Sequence, residues 1–129
     1  MNTKTLLIVE SEPAMIELYL ALLTAFGNQL QILTANNAAT ALQLCQSNQV
    51  DLITTDLKRE SESGEAFVAR LNKLYPLLPV MIISALPAYL SQVELHNLGA
   101  VAYLEKPFAV DSYVHKISVA LHLPILAPA

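Results

Sequence analysis

Polar and charged side chains follow several of the apolar runs in this sequence, and their types could do chemistry. Glu10 and Ser11 follow the first run, and Asp56 follows the third. Ser84 follows the core of the fourth run, and Lys106 comes shortly after the fifth. If these runs are strands of one sheet, an anion, a hydroxyl and a cation converge at one edge. Asp56 is then the predicted centre of the chemistry.

The spacing of apolar residues predicts the elements that position these side chains. Runs of strand length, mostly typical of strands covered on both faces, occupy residues 5–9, 30–34, 52–55, 80–83 and 101–104. Apolar residues at helical spacing, including Met15, Leu18 and Leu22, lie between the runs, and residues 88–98 have helical length. The alternation predicts an α/β fold, a doubly wound parallel sheet of five strands with five helices on its two faces. Ligands of such a sheet bind beyond the carboxyl ends of the strands.

Turn and cap residues divide the chain in the same way. Pro13 suits a first helical turn, Asn36 suits a helix N-cap, and Gly27 and Gly99 suit positions just past a helix end. We expect one domain over residues 1–122, followed by a C-terminal tail of residues 123–129 that leaves the last helix and frays.

Composition excludes several classes of protein. The chain has 129 residues, 54% of them hydrophobic and 14% charged, which suits one domain with a proper core. Its net charge of −4 and its scattered cations argue against direct nucleic-acid binding. Without a signal peptide or an apolar run of membrane-spanning length, we expect a cytoplasmic protein that does not enter a membrane. Cys45, the single cysteine, lies on an apolar helical stripe and is expected to be a buried core thiol.

The turn after the first strand argues against two kinds of nucleotide site. Residues 10–13 contain no glycine, and the whole chain has only three, so the dinucleotide and P-loop fingerprints are absent. Glu10 and Glu12 in the same turn would repel the phosphate of a mononucleotide.

Four motifs, in order and at these spacings, resemble the receiver domain of two-component response regulators. They are the segments 6–13 (LLIVESEP), 51–56 (DLITTD) with Gly64 downstream, 82–85 (IISA), and 99–108 (GAVAYLEKPF). The resemblance covers nearly the whole chain and implies a flavodoxin-like strand order of 2-1-3-4-5. It also implies a signalling switch of a two-component phosphorelay rather than an enzyme.

The resemblance implies a role for each matching residue. Asp56 would accept a phosphoryl group from a phosphohistidine of a sensor histidine kinase or a phosphotransfer protein. Lys106 would pair with the acceptor and then with the phosphoryl oxygens, Ser84 would hydrogen-bond the phosphoryl group, and Tyr103 would be the aromatic switch. The Mg²⁺ ion that receivers use would be held by Glu10, Asp56 and the backbone carbonyl of Lys58. The Lys106–Pro107 bond is expected to be cis.

The sequence departs from the family pattern at two places. Receivers usually carry two adjacent acids after the first strand, whereas here Ser11, a neutral and poorer ligand for a hard cation, follows Glu10. The loop after Asp56 is polar and charged; Lys58 or Arg59 could partly replace a cation there, or the loop charges could simply be solvated. Glu12 reads as a first-turn charge rather than a metal ligand.

Two functions from different classes remain open. The first is a stand-alone response regulator that accepts phosphate on Asp56 with weakened Mg²⁺ affinity. The second is a pseudo-receiver, an interaction module that acts without phosphorylation. Either would signal through protein contact with an unknown downstream protein or a second copy of the chain. By resemblance, that surface surrounds Leu90, Tyr103, Val110 and Tyr113.

Overall fold

The computed structural model describes residues 3–56, 64–84 and 99–126. Its strands are β1 (Lys4–Val9), β2 (Leu30–Ala35), β3 (Leu52–Thr55), β4 (Val80–Ser84) and β5 (Ala100–Glu105). Its α-helices are α1 (Pro13–Leu22), α2 (Ala38–Ser47), α3 (Gly64–Leu74) and α4 (Val110–Leu121), and a 3₁₀ segment (Leu23–Gln29) follows α1. The further helix predicted over residues 88–98 lies outside the described residues.

The five strands form one parallel sheet in the order β2-β1-β3-β4-β5, which confirms the predicted fold class and strand order. β1, β3 and β4 are central and almost wholly buried. Their continuous apolar runs follow from that position, because helices cover both faces of the sheet. No helix in the described segments is long and apolar enough to cross a membrane.

Alternate residues of each central strand enter two separate cores. Leu6 and Ile8 point to the side covered by α1, the 3₁₀ segment and α4, and these elements form the first core with them. Leu7 and Val9 point to the side covered by α2 and α3, which form the second core. The period of two along a strand thus ties both helical layers to the same strands.

Local signals mark most of the predicted boundaries. Pro13 is the first residue of α1, as predicted. The N-cap of α2 is Asn37 rather than Asn36, because the side chain of Asn37 accepts a hydrogen bond of 2.8 Å from the Thr40 N–H. Gly27 has a φ of 56° and makes a kink within the 3₁₀ segment. Cys45 is buried, as predicted, and burial raises the pKa of its thiol, which favours the unreactive protonated form.

Residues 123–126, directly after α4, pack against the domain and do not fray as predicted. His122 adopts a left-handed conformation that ends the helix, and Leu123 is buried in the first core. The Leu126 N–H donates to the Ala25 carbonyl at 2.9 Å, and Gln29 Nε2 donates to the Pro124 carbonyl at 3.1 Å. Residues 123–126 therefore pack on the 3₁₀ segment, because an apolar side chain follows the helix end and finds a place in the core.

We expect Leu123→Ala to lower the free energy of unfolding by about 2 kcal/mol, the usual cost of emptying a buried leucine site. Urea denaturation followed by far-UV circular dichroism measures the change. The matched control is Ile125→Ala, since Leu123 is 6% exposed and Ile125 is 45% exposed. Equal effects of the two substitutions would mean that the segment is not part of the core.

Candidate functional site

Strand order and register bring four of the candidate residues to one edge of the sheet. Glu10 follows β1 and Asp56 follows β3, and these neighbouring strands pair Val9 with Thr55 at their ends. Ser84 ends β4 and is paired with Glu105, directly before Lys106. The edge between β1 and β3 is also where the strand order reverses direction, the usual ligand site of such a sheet.

The ammonium group of Lys106 lies between two carboxylates. Its Nζ is 3.2 Å from Asp56 Oδ2 and 3.5 Å from Glu10 Oε1. The three side chains are largely shielded from solvent, with exposed fractions of 17% for Lys106, 19% for Asp56 and 7% for Glu10. Because water screens them little, each charge requires the opposite charge beside it.

Glu10 uses both of its carboxylate oxygens. Oε1 faces Lys106, and Oε2 accepts a hydrogen bond of 3.2 Å from the Glu12 N–H. The backbone of Glu10 is fixed as well, because its N–H donates to the Ala35 carbonyl of β2 at 2.9 Å. This buried acid is therefore held in one position from three directions.

The loop that carries Lys106 is anchored to β4. The Lys106 N–H donates to the Ser84 carbonyl at 2.8 Å. The Lys106–Pro107 bond is cis, as predicted. Ser84 is buried, and Tyr103 is half-buried on the face of the sheet that carries the second core. One edge of the sheet thus carries Glu10, Asp56, Ser84 and Lys106. Tyr103 lies on the face of the sheet that α2 and α3 cover.

The remaining candidates have different outcomes. Ser11 and Glu12 are exposed in the turn before α1. Lys58, Arg59 and Leu90 lie outside the described residues. Val110 is exposed, but Tyr113 is completely buried between α4 and the sheet. The prediction that Tyr113 lies on a contact surface was therefore wrong, because its ring faces the core.

Sequence reasoning missed Tyr19, which lies in the core beneath the site. The sequence stripe on α1 was assigned to Met15, Leu18 and Leu22, yet Leu18 is 40% exposed and Tyr19 only 2%. Tyr19 continues the stripe from Met15 at a spacing of four. The helix is apolar on nearly every side, so its sequence gave little indication of which face is buried.

Tyr19 stacks with two other aromatic rings. Its ring centroid lies 6.2 Å from that of Phe108 and 5.1 Å from that of Tyr113, and Phe108 and Tyr113 are 5.6 Å apart. Burial raises the pKa of the Tyr19 phenol, and the charges of Glu10, Asp56 and Glu12 raise it further. The phenol is therefore neutral at physiological pH and within electrostatic range of the site acids.

The site offers few ligands for a divalent cation. In the three described segments, no three His, Cys, Asp or Glu side chains are grouped so that they could hold a metal ion. Two carboxylates, those of Glu10 and Asp56, do share one ammonium group. Mg²⁺ accepts one or two carboxylates when water and phosphate oxygens complete its shell, so the residues present fit this ion.

The chain matches a family model and curated relatives along most of its length. Residues 6–118 match the model described as the response regulator receiver domain. The chain is 29% identical over 122 residues to the DNA-binding transcriptional regulator NtrC of Azospirillum brasilense, covering 95% of this chain and 25% of that protein. It is also 29% identical over 116 residues to the transcriptional regulatory protein GlrR of Escherichia coli K12, covering 90% and 26%. The chain thus spans about a quarter of the length of these relatives.

Solved structures agree with the fold. The signal receiver domain of a putative LuxO repressor protein from Vibrio parahaemolyticus superposes with a TM-score of 0.83 at 25% identity, covering 93% of this chain and 91% of that one. The response regulator protein TrrA from Thermotoga maritima, solved in complex with Mg²⁺ and BeF, gives a TM-score of 0.80 at 27% identity, covering 92% and 100%.

Fold and site together define a doubly wound α/β signalling domain with a carboxylate site at the reversal of strand order. The chain belongs to the response regulator receiver domain family. This confirms the resemblance drawn from the four sequence motifs. The role of each site residue stays a prediction.

We expect Lys106→Met and Glu10→Gln to be coupled in stability. Without the ammonium group, two carboxylates face each other. Neutralising Glu10 should therefore lower the free energy of unfolding less in the Lys106→Met variant than in the wild type. A double-mutant cycle in urea should give a coupling energy of about 1 kcal/mol.

The matched control for this cycle is Lys4→Met with Glu10→Gln. Lys4 begins β1, at the opposite end of the strand from Glu10. Its cycle should be additive. A coupling between Lys106 and Glu10 as small as that of the control at low salt would show that the ion pair does not hold the site together.

Proposed function

We propose that this chain is a phosphorylation switch in which Asp56 accepts a phosphoryl group from a histidine kinase or a phosphotransfer protein. The observation that carries the proposal is the contact of 3.2 Å between Lys106 Nζ and Asp56 Oδ2 at the end of β3. It gives the carboxylate a cation that can follow the negative charge from the acceptor to the transferred group.

The chemistry is a displacement at phosphorus. An oxygen of Asp56 forms a bond to phosphorus while the phosphorus–nitrogen bond of the phosphohistidine breaks, and the bonding electron pair remains on the departing imidazole nitrogen. Negative charge is then spread over the phosphoryl oxygens. Lys106 is placed to neutralise part of it, because its ammonium group is a mobile point charge already beside Asp56.

Glu10 and Asp56 would hold Mg²⁺, together with the backbone carbonyl of Lys58 that the family resemblance suggests. The bound ion supplies further neutralisation of the phosphoryl charge. Two features support a weakened affinity. Ser11 replaces a carboxylate by a hydroxyl, and the oxygens of Glu10 are already engaged by Lys106 and the Glu12 N–H.

Ser84 and Tyr103 are the proposed readers of the phosphorylated state. Ser84 ends β4 directly beside the anchored Lys106 loop, where a hydroxyl could hydrogen-bond a phosphoryl oxygen. Tyr103 is only half-buried, so its ring could move between a position in the core and a position exposed to solvent. The signal would leave by contact with a downstream protein or a second copy, with Val110 on that surface.

The bounds of the receiver and its location in the cell belong to the same proposal. We infer a receiver over residues 1–122 that works in the cytoplasm. The segment from residue 123 onward would then be a tail whose first residues close the core beneath α4.

A second candidate function has its own supporting observation. In a pseudo-receiver, the ion group of Glu10, Asp56 and Lys106 would be a permanent structural feature rather than a resting state. The double engagement of Glu10 and the exposed Ser11 favour this reading. Asp56 and Lys106 in contact, with Ser84 at the same edge, favour the switch.

We expect acetyl phosphate and Mg²⁺ to add one phosphoryl group to the wild type, slowly, and none to Asp56→Asn. Intact-mass spectrometry measures the labelled fraction over time. The matched control is Asp51→Asn, which alters the aspartate at the other end of β3, where its side chain accepts a hydrogen bond of 2.7 Å from the Thr5 N–H. This control should be labelled like the wild type.

Labelling of Asp56→Asn at the wild-type rate would exclude Asp56 as the acceptor. A wild type that gains no phosphate at any Mg²⁺ concentration, yet still captures a binding partner, would favour the pseudo-receiver.

We expect Ser11→Asp to lower the Mg²⁺ concentration needed for half-maximal labelling by about tenfold, because a second anionic oxygen ligand suits a hard cation better than a hydroxyl. Ser11→Asn is the control of matched shape, and it should stay near the wild-type value. Equal Mg²⁺ requirements for the Asp and Asn variants would show that the missing acid does not limit metal binding.

A further inference from the structure

The aromatic cluster of Tyr19, Phe108 and Tyr113 joins three elements that surround the site. Tyr19 belongs to α1, Phe108 to the loop after β5, and Tyr113 to α4. The rings of Tyr19 and Phe108 are nearly parallel, with an angle of 11° between their planes, and each pair of the three rings is stacked. Such pairs stabilise each other beyond the area that they bury.

Phe108 ties this cluster to Lys106, which lies two residues earlier in the chain. The backbone of Lys106 is anchored on one side by its hydrogen bond to the Ser84 carbonyl. On the other side, the segment ends in the ring of Phe108, packed against the first core. The position of the ammonium group therefore depends on both anchors.

Tyr19 ties the same cluster to the acidic turn. The Glu12 carbonyl accepts the first hydrogen bonds of α1, from the N–H groups of Met15 and Ile16 at 3.1 and 3.2 Å. The Glu12 N–H in turn holds the carboxylate of Glu10. A rigid helix thus connects the ring of Tyr19 to the acid that Lys106 must reach.

We propose that Tyr19 is a positioning residue for Lys106, because its ring, stacked on Phe108, holds the Lys106 loop against Glu10 and Asp56. The inference rests on the proposed phosphoryl transfer to Asp56 and adds a residue to it. Tyr19 acts through Phe108 and need not touch the phosphoryl group. Burial raises the pKa of the Tyr19 phenol most, and the charges of Glu10, Asp56 and Glu12 raise it further. This agrees with a ring that lies close to the site.

The test compares Tyr19→Leu with Tyr19→Phe, which keeps the ring. The initial rate of labelling is measured across a range of acetyl phosphate concentrations. Tyr19→Leu should lower the maximal rate by about tenfold, since small misplacements of a charged group cost up to about a hundredfold. The half-saturating concentration should change by less than about threefold, because Asp56 itself is untouched. Tyr19→Phe should restore the rate to within about twofold of the wild type.

Phe26→Leu is the matched control for a structural effect. Phe26 is as deeply buried as Tyr19 and lies in the same core, but it is not among the three stacked rings. It should lower stability about as much as Tyr19→Leu without slowing labelling. Equal slowing by the two leucine variants would overturn the proposal. Labelling of Tyr19→Phe that is as slow as that of Tyr19→Leu would also overturn it, because the hydroxyl group rather than the stacked ring would then be responsible.

A second readout is independent of phosphorylation. The side-chain ¹⁵N resonance of Lys106, assigned with Lys106→Arg, should move in Tyr19→Leu and stay in place in Tyr19→Phe and Phe26→Leu. An unmoved resonance in Tyr19→Leu would overturn the positioning role. If the wild type is never labelled at Asp56, the proposed function fails, while this resonance still decides whether Tyr19 positions Lys106.

Discussion

The site depends on one cation placed between two anions. β1 and β3 are neighbours and each is followed directly by a carboxylate, so the sheet brings Glu10 and Asp56 to the same edge. Unscreened by water, two such charges repel strongly, and an empty pocket between them would destabilise the sheet edge. Lys106 removes that repulsion, because its Nζ lies 3.2 Å from Asp56 Oδ2 and 3.5 Å from Glu10 Oε1.

The charge of this ion group decides how the site can respond. Two carboxylates and one ammonium group leave one net negative charge, whereas a second acid in place of Ser11 would leave two. A site with one net negative charge attracts a divalent cation less strongly, but it also resists an incoming phosphoryl group less. In the proposed switch, the replacement at position 11 would change the balance between metal binding and phosphoryl acceptance rather than simply remove function.

Much of the fold and the edge of the site followed from the sequence, for a definite physical reason. Strands buried on both faces need continuous apolar runs, so their ends are visible, and parallel strands bring those ends to one edge. The sequence alone therefore places Glu10, Asp56, Ser84 and Lys106 together. Burial of single side chains was harder to predict. α1 is apolar on nearly every side, so Tyr19 was missed; Tyr113 was assigned to the surface; and Leu123 was assigned to a fraying tail. In each case the burial of the side chain depends on packing against a segment distant in sequence, which the local spacing of apolar residues does not predict.

Lys106 is connected to both helical layers of the domain. Through Phe108 its loop belongs to the core that α1, α4 and the tail share. Directly before it in the chain, β5 presents Tyr103 to the core on the opposite face of the sheet. β5 and the loop that follows it thus connect the charge at the sheet edge to both faces of the domain.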